Sequence, residues 1–412
     1  MKNVLLALAL LQVLPPLEAS ALDTGTTITP ERAQEAAGLL LPGVLRAIRQ
    51  GMQIEVGEYR RVNWREAYKL VTEKYQGQAR IGPSGELLDY VAGLPFLDLD
   101  PNDPQMATKI MWNYAFGPWG ADDAVAWSFQ WETGHVSPGR EMRVESSEHR
   151  DEEQSKWLRT VGRIYIPPLH AFPNNTDQVM HMEIFGPTFP VFLSLMRSGP
   201  LLTYRYLTPR EDDLWYYTSW DRKVRRIPPQ IRYEAFGDVV IDLNSSFGFN
   251  APIASYSWHF LGEGRMLGVM HGRHYPVRWC PGGGDFAPCE VWEERTVYLV
   301  EGIPRMSYDT YGKRIIAIDK HAWVILATDL YNKTDELWKT WMNFWSYRPY
   351  ARGGPDSHEY SYLLAGSGID FDDQKAIRWR LPGTRSLAEA VAINTGLTPD
   401  EFSVSHLGEA LH

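Results

Sequence analysis

The 412-residue chain is 44% hydrophobic and 22% charged, a globular balance that excludes a disordered or fibrous protein. Its 41 Lys and Arg against 51 Asp and Glu leave a net charge of −10, which argues against a protein built to grip nucleic-acid phosphates. The unusual component is aromatic: 16 Trp, 21 Tyr and 15 Phe, so rings must carry much of any core or cavity.

Lys2 precedes an apolar run from Val4 to Leu14, then Pro15-Pro16 and the small-residue triplet Ala19-Ser20-Ala21. A basic start, about 11 apolar residues and an Ala-x-Ala end predict a cleavable secretory signal over 1–21. The run is too short to span a bilayer, which needs about 20 residues. No Cys follows the cleavage point, so no lipid anchor is expected on the mature N-terminus. No later stretch has 18 consecutive apolar residues, and the exported chain is expected to be soluble.

Residues 22–116 read as a helical segment and a connector. Thr29-Pro30-Glu31 has the form of a cap followed by Pro in the first helical turn. ERAQEAAGLLL follows, Pro42-Gly43 interrupts, and WREAYKLVTEKY resumes at Trp64, so 22–75 is expected to be helical. Turn signals at Gly82-Pro83, Asp98 to Pro101 and Asp103-Pro104 mark the connector, and Met106 to Phe116 is expected to form a short helix.

From 117 to 350 the texture changes to short, ring-rich, often alternating strands separated by turn residues, the signature of a continuous antiparallel sheet or barrel. In DLWYYTSWD, Leu214, Tyr216, Thr218 and Trp220 share one face, while Trp215, Tyr217 and Ser219 share the other. Rings on both faces predict a strand covered on both sides. Residues 351–412 read as a further strand and a helical extension from Arg385, packed on the same domain.

Two cysteines, Cys280 and Cys289, flank a Gly-rich loop, PGGGDFAP. Their even count and short spacing in an exported chain predict one disulfide. His271 and His274 lie nearby, three residues apart on a strand end. Strand geometry turns them to opposite sides, so a two-Cys, two-His zinc site is not expected. Nucleophile elbows, phosphate loops and dinucleotide turns are missing in proper context, and no cofactor or metal is expected. Asp122-Asp123 and Asp372-Asp373 read as solvated turns. Arg222, Lys223, Arg225 and Arg226 place four positive charges in five residues at a hairpin tip, a candidate contact for anionic headgroups or an acidic partner.

DLWYYTSWDRKVRRIP resembles the W-x-Y-x-P…R-R-V-R-R hairpin of a large proteobacterial family of unknown function, often labelled outer-membrane lipoprotein-sorting protein. Further boxes are collinear with it: AGLPF at 92–96, DPNDPQMATKIMWN at 100–113, YSWHFLGEGRMLGV at 256–269, VWEERTVYLVEG at 291–302 and GKRIIAIDKHAWVILATDLYNKTDELWK at 312–339. The likeness covers nearly all of the mature chain. Thr218 departs from it where the family shows a Pro, and the disulfide loop is not a family feature.

This resemblance implies an α+β fold like the periplasmic carriers LolA and LolB. A strongly curved antiparallel sheet, an incomplete β-barrel, would be closed by helices over an apolar cavity. The implied role is a periplasmic carrier or chaperone for a lipid or other hydrophobic molecule. Its implied partners are an inner-membrane exporter of the resistance-nodulation-division type and an outer-membrane protein, with transient membrane contact. Strand alternation nominates Trp215, Tyr217, Trp258, Phe260, Leu299, Trp323 and Ile325 as cavity lining, with Phe96 and Trp112 as parts of a lid. The alternative is a periplasmic enzyme acting on a glycan or hydrophobic substrate, which requires two carboxylates facing across a cleft about 5–10 Å wide.

Overall fold

A computed structural model describes residues 22–127, 129–136, 143–148, 154–172, 179–185, 200–218, 221–233, 240–280, 286–349 and 359–409. The signal segment, Ser219-Trp220 and the Gly282-Gly283-Gly284 run lie outside these residues.

The N-terminal portion is less helical than its sequence suggests. Pro30–Leu39 forms 3-10 turns, and α1 (Pro42–Arg49) and α2 (Glu66–Tyr75) follow, but two strands intervene. β1 (Thr27–Ile28) pairs antiparallel with β2 (Ile54–Gly57), whose Ile54 and Val56 are buried and whose Glu55 is exposed. That period of two, with β-branched residues inside, outcompetes the helical propensity around it. α1 buries Val44, Ala47 and Ile48, one stripe at i, i+3 and i+4. A small hairpin, β3 (Arg80–Ile81) and β4 (Leu87–Leu88), leads to α3 (Met106–Ala115). Seven of its ten residues are buried, spread around the whole helix. A helix apolar on all sides belongs inside a fold.

Sixteen more strands follow: β5 (Asp123–Trp127), β6 (Gln130–His135), β7 (Arg143–Glu148), β8 (Gln154–Arg159), β9 (Val179–Phe185), β10 (Leu201–Tyr206), β11 (Asp213–Thr218) and β12 (Lys223–Ile227). Then come β13 (Tyr256–Gly268), β14 (Val291–Pro304), β15 (Lys313–Asp319), β16 (Ile325–Tyr331), β17 (Leu337–Pro349), β18 (Glu359–Asp370), β19 (Lys375–Arg380) and β20 (Val391–Ile393). Together with β1 and β2 they make an eleven-stranded and a seven-stranded sheet. The two share a bent hairpin, because β5 and β8 pair in the smaller sheet while β6 and β7, their chain neighbours, pair in the larger. β19 on β6 and β20 on β5 repeat the arrangement.

The strands thus run in one order from β13 through β14 to β19, across the shared hairpin, and on through β9, β10, β11 and β12. β12 and β13, the two ends, are not paired with each other among the described residues, so the sheet is open. It nevertheless wraps around. The segment after a 3-10 turn at Ser246–Gly248 reaches both arms: the Phe249 ring lies 5.2 Å from Trp258 of β13, while the Asn250 carbonyl accepts a hydrogen bond from Arg205 of β10, two strands in from the β12 end. α3 sits inside this curve, in one apolar cluster with Trp258, Tyr298, Ile316, Ile318 and Ile325.

β13 is an edge strand of 13 residues paired only with β14. A bulge falls between Phe260 and Gly262, where Gly262 takes a φ of 137° that disfavours a side chain. The C-terminal region is also not simply helical. Short helices α4 (Leu387–Ala390) and α5 (Val404–Glu409) are separated by β20, whose Val391, Ala392 and Ile393 complete the smaller sheet.

Candidate functional site

The sequence-nominated rings separate into three places. Trp258, Trp323 and Ile325 join Phe96 and Trp112 in the cluster around α3, with Phe260 at its margin. Asn113 of α3 holds Phe96 there, accepting from its N–H at 2.9 Å and donating to its C=O at 2.7 Å. Leu299 faces the other way: its neighbours Tyr298 and Val300 point to α3, while Leu299 packs on the larger core. Trp215 and Tyr217 lie on the far side of the smaller sheet, under Phe402, Val404 and Leu407 of the C-terminal segment. Their strand-mates Leu214 and Tyr216 take the inner side, so the strand is covered on both faces.

Between α3 and strands β8 to β10 lies a cavity of about 170 Å³. Its apolar walls include Trp112, Phe116, Trp157, Tyr206, Phe249 and Tyr360. Of the nominated residues, Trp112 lines it directly. Ionisable groups line it too, and this departs from the dry apolar hollow expected: Asp123, Arg159, His181, Glu183 and Arg205 all face it.

Strand register explains their convergence. Arg159 of β8 stands opposite His181 of β9, which stands opposite Arg205 of β10. The next row inward is Trp157, Glu183 and Thr203. Side chains at these positions share one face, with neighbours in a row about 5 Å apart at Cβ. Arg205 is saturated, bonding Asp212 at 2.9 Å and both oxygens of Asn250 at 2.7 Å. Arg159 is not: its Nη2 donates to the Ala115 carbonyl at the end of α3 at 3.2 Å, and its guanidinium lies over Phe116. No carboxylate stands within ion-pair distance of Arg159 among the described residues.

His181 Nε2 is 2.9 Å from Glu183 Oε1, without the alignment of a hydrogen bond. Burial pushes the His181 imidazole below its ordinary value, and the nearby Arg205 cation acts the same way, so the ring is neutral near pH 7. Burial opposes the charge on Glu183, but His181, Arg205 and Arg232 outweigh it and bring the carboxyl down to about 2. Glu183 is therefore an anion, 5% exposed, and its Oε2 has no hydrogen-bond partner among the described residues. Asp123, by contrast, is fully engaged, accepting from the N–H groups of Thr395, Gly396 and Leu397 and from the Thr395 hydroxyl. Asp122 likewise accepts from the N–H groups of Ile164, Tyr165 and Ile166. Both aspartates are buried loop anchors, which corrects their reading as a solvated turn. Two partly buried loops carry several N–H groups that need acceptors, and the pair supplies them.

The basic hairpin is partly neutralised. Arg225 pairs with Asp221 and Arg226 with Asp213, while the Arg222 and Lys223 side chains are exposed at the tip. Cys280 and Cys289 are joined, beside a bridge between Trp279 and Pro288. His271 and His274 bind separate carboxylates, Glu293 at 2.7 Å and Glu290 at 2.8 Å.

Residues 27–407 match the family model described as protein of unknown function, DUF1329. The chain belongs to the DUF1329 family. Sheet, α3 and cavity of this DUF1329 chain all fall inside the matched region. Among curated proteins, none matches it. It is similar to a solved domain from Vibrio parahaemolyticus named for outer-membrane lipoprotein sorting, at 15% identity and a TM-score of 0.47, over 74% of this chain and 100% of that one. A DUF1329 protein from Desulfovibrio piger is 14% identical with a TM-score of 0.42, over 70% and 92% of the two chains. A LolA superfamily protein from Nitrosomonas europaea is 10% identical with a TM-score of 0.37, over 73% and 98%.

Sequence reading missed Arg159, His181, Glu183 and Arg205. The signal was available: VMHMEIF and LLTYRY carry polar residues at alternate positions in strands otherwise apolar on both faces. Such a stripe has to face something other than plain core.

Proposed function

We propose that this DUF1329 protein is a periplasmic carrier that holds a hydrophobic molecule non-covalently inside the open sheet. The observation that carries the reading is the cavity of about 170 Å³ between α3 and the smaller sheet, walled by rings and open at one side. It is close to the engineered cavity of about 150 Å³ that takes benzene, so it fits a ring or a short stretch of chain. Burying six carbons there contributes roughly 5 kcal/mol before ordering costs. In this reading Trp112 and Phe96 form the lid, backed by Trp258, Phe260, Trp323 and Ile325. Trp215, Tyr217 and Leu299 serve the sheet's other packing. Longer guests require α3 to move, which suits a carrier that loads and unloads at partners. Those partners would be a resistance-nodulation-division exporter and an outer-membrane protein. Arg222 and Lys223 would be the contacts for a membrane or an acidic partner surface. The signal read over 1–21 supports periplasmic residence, and no helix among the described residues is long and apolar enough to cross a membrane.

The enzyme alternative has weaker support at this site. Of the two cavity carboxylates, Asp123 has both oxygens committed to loop hydrogen bonds. Native mass spectrometry of protein purified from the periplasm tests the carrier reading, together with uptake of a fluorescent fatty acid. A co-purifying hydrophobe supports it; repeated recovery of empty protein with no uptake removes it.

A further inference from the structure

The cavity combines two polar groups whose needs are complementary. Among the described residues, Glu183 Oε2 is a buried, ionised acceptor with no donor, and the guanidinium of Arg159 has donors left after its bond to Ala115. They are diagonal neighbours on adjacent strands, since Arg159 is opposite His181 and Glu183 is two residues further along β9. Diagonal neighbours lie about 7–8 Å apart, somewhat less at Cβ, and both side chains are long enough to bring their tips toward one guest group.

Charge decides what that group is. A carboxylate on Arg159 would sit beside the Glu183 anion, and an ammonium on Glu183 would sit beside the Arg159 cation. Either one adds a like-charge contact beside the attractive one, at partly buried groups that water screens only in part. A hydroxyl adds no charge and meets both needs, donating its proton to Glu183 Oε2 and accepting from Arg159. Charge-assisted hydrogen bonds of this kind are roughly twice as strong as neutral ones. The surrounding rings, Trp112, Phe116, Trp157 and Phe249, leave room for a body about the size of one ring.

We propose that the cavity is a binding site for a ring-borne hydroxyl, a phenol or alicyclic alcohol, held between Arg159 and Glu183. The inference rests on the cavity of the carrier reading and names the class of guest it takes.

Isothermal titration calorimetry with p-cresol, toluene, benzoate and benzylammonium, on wild type, Arg159→Gln and Glu183→Gln, tests it. In wild type p-cresol should bind at least tenfold more tightly than each of the other three. Glu183→Gln removes the anion and should shift preference toward benzoate about tenfold. Arg159→Gln removes the cation and should shift preference toward benzylammonium by a similar factor. A variant that merely loosened the fold would weaken all probes together, so the opposite shifts report the site itself. Equal binding of toluene and p-cresol in wild type overturns the inference, as does an unchanged probe order in both variants. If the fatty-acid probe still binds in that case, the carrier reading survives alone. If p-cresol binds as expected but no hydrophobe is ever carried, the site stands and the carrier reading falls.

Discussion

Asp329 of β16 offers a sharp test of the packing between the N-terminal segment and the sheet. Its carboxyl is fully buried, accepting from the Gly43 N–H in the first turn of α1 at 2.8 Å and from the Thr340 hydroxyl at 2.8 Å. No cation pairs with it among the described residues. Burial therefore dominates, and against the two hydrogen bonds it raises the carboxyl from 3.8 to about 7. A folded value above the unfolded one means that the native state binds the proton more tightly. The stabilisation is complete below about pH 4 and is lost as pH rises through 7. Raising the carboxyl this far is worth about 4 kcal/mol in all, at 1.36 kcal/mol per tenfold change in proton affinity. Roughly 2–3 kcal/mol of that falls between pH 5 and pH 8. Asp329→Asn keeps the shape: its oxygen accepts from Gly43 and its amide donates to Thr340. Urea unfolding of both proteins at half-unit steps from pH 5 to pH 8 isolates the group, because every other titration is common to the two. The variant should gain on wild type by about 2–3 kcal/mol across the range. Parallel curves would show that the carboxyl titrates normally and that the helix–sheet contact is open to water.

Other outcomes follow from the same geometry. Trp112, 1% exposed at the centre of α3, should cost about 3–5 kcal/mol on truncation to Ala, read as a lowered Tm, and should enlarge the cavity. Arg295 is fully buried, bonding Asp319 at 2.7 Å, Glu293 at 3.2 Å and the Arg60 carbonyl at 2.6 Å. Arg295→Met takes the shared cation from two buried carboxylates, Asp319 and Glu293, and should cost about 3–5 kcal/mol by denaturant titration, part of it restored by adding Glu293→Gln. Replacing Cys280 and Cys289 together by Ser should cost roughly 2–3 kcal/mol, and reductant should move wild type by the same amount and the variant not at all.

Where local signals and tertiary packing agree, the sequence is legible. The hairpin after DLWYYT, the KVRRI strand and the Met106 helix all occur as read, because turn chemistry and residue type alone specify them. Strand β17 is not evident beforehand. LWKTWMNFWSYRP is buried along both faces, so the alternation that marks a half-covered strand is missing. Ile54–Gly57 is obscured for the opposite reason, being four residues whose strand character comes from pairing with β1 and β14. The cavity is the least legible of all. Arg159, Glu183 and Arg205 come from three strands, and only the register of β8 on β9 on β10 puts them side by side. That register arises from long-range pairing, which no local spacing encodes.

A thirteen-residue rim such as β13 would ordinarily be a template on which other copies of the chain could stack. Here the kink at Gly262 breaks its straight run of free N–H and C=O groups. His259, Glu263 and Arg265 add charge along the same border, tied to Glu301, Lys320 and Glu294. A protein with an unclosed wall needs such a guard. It keeps the opening available to a guest while denying it to a neighbour's backbone.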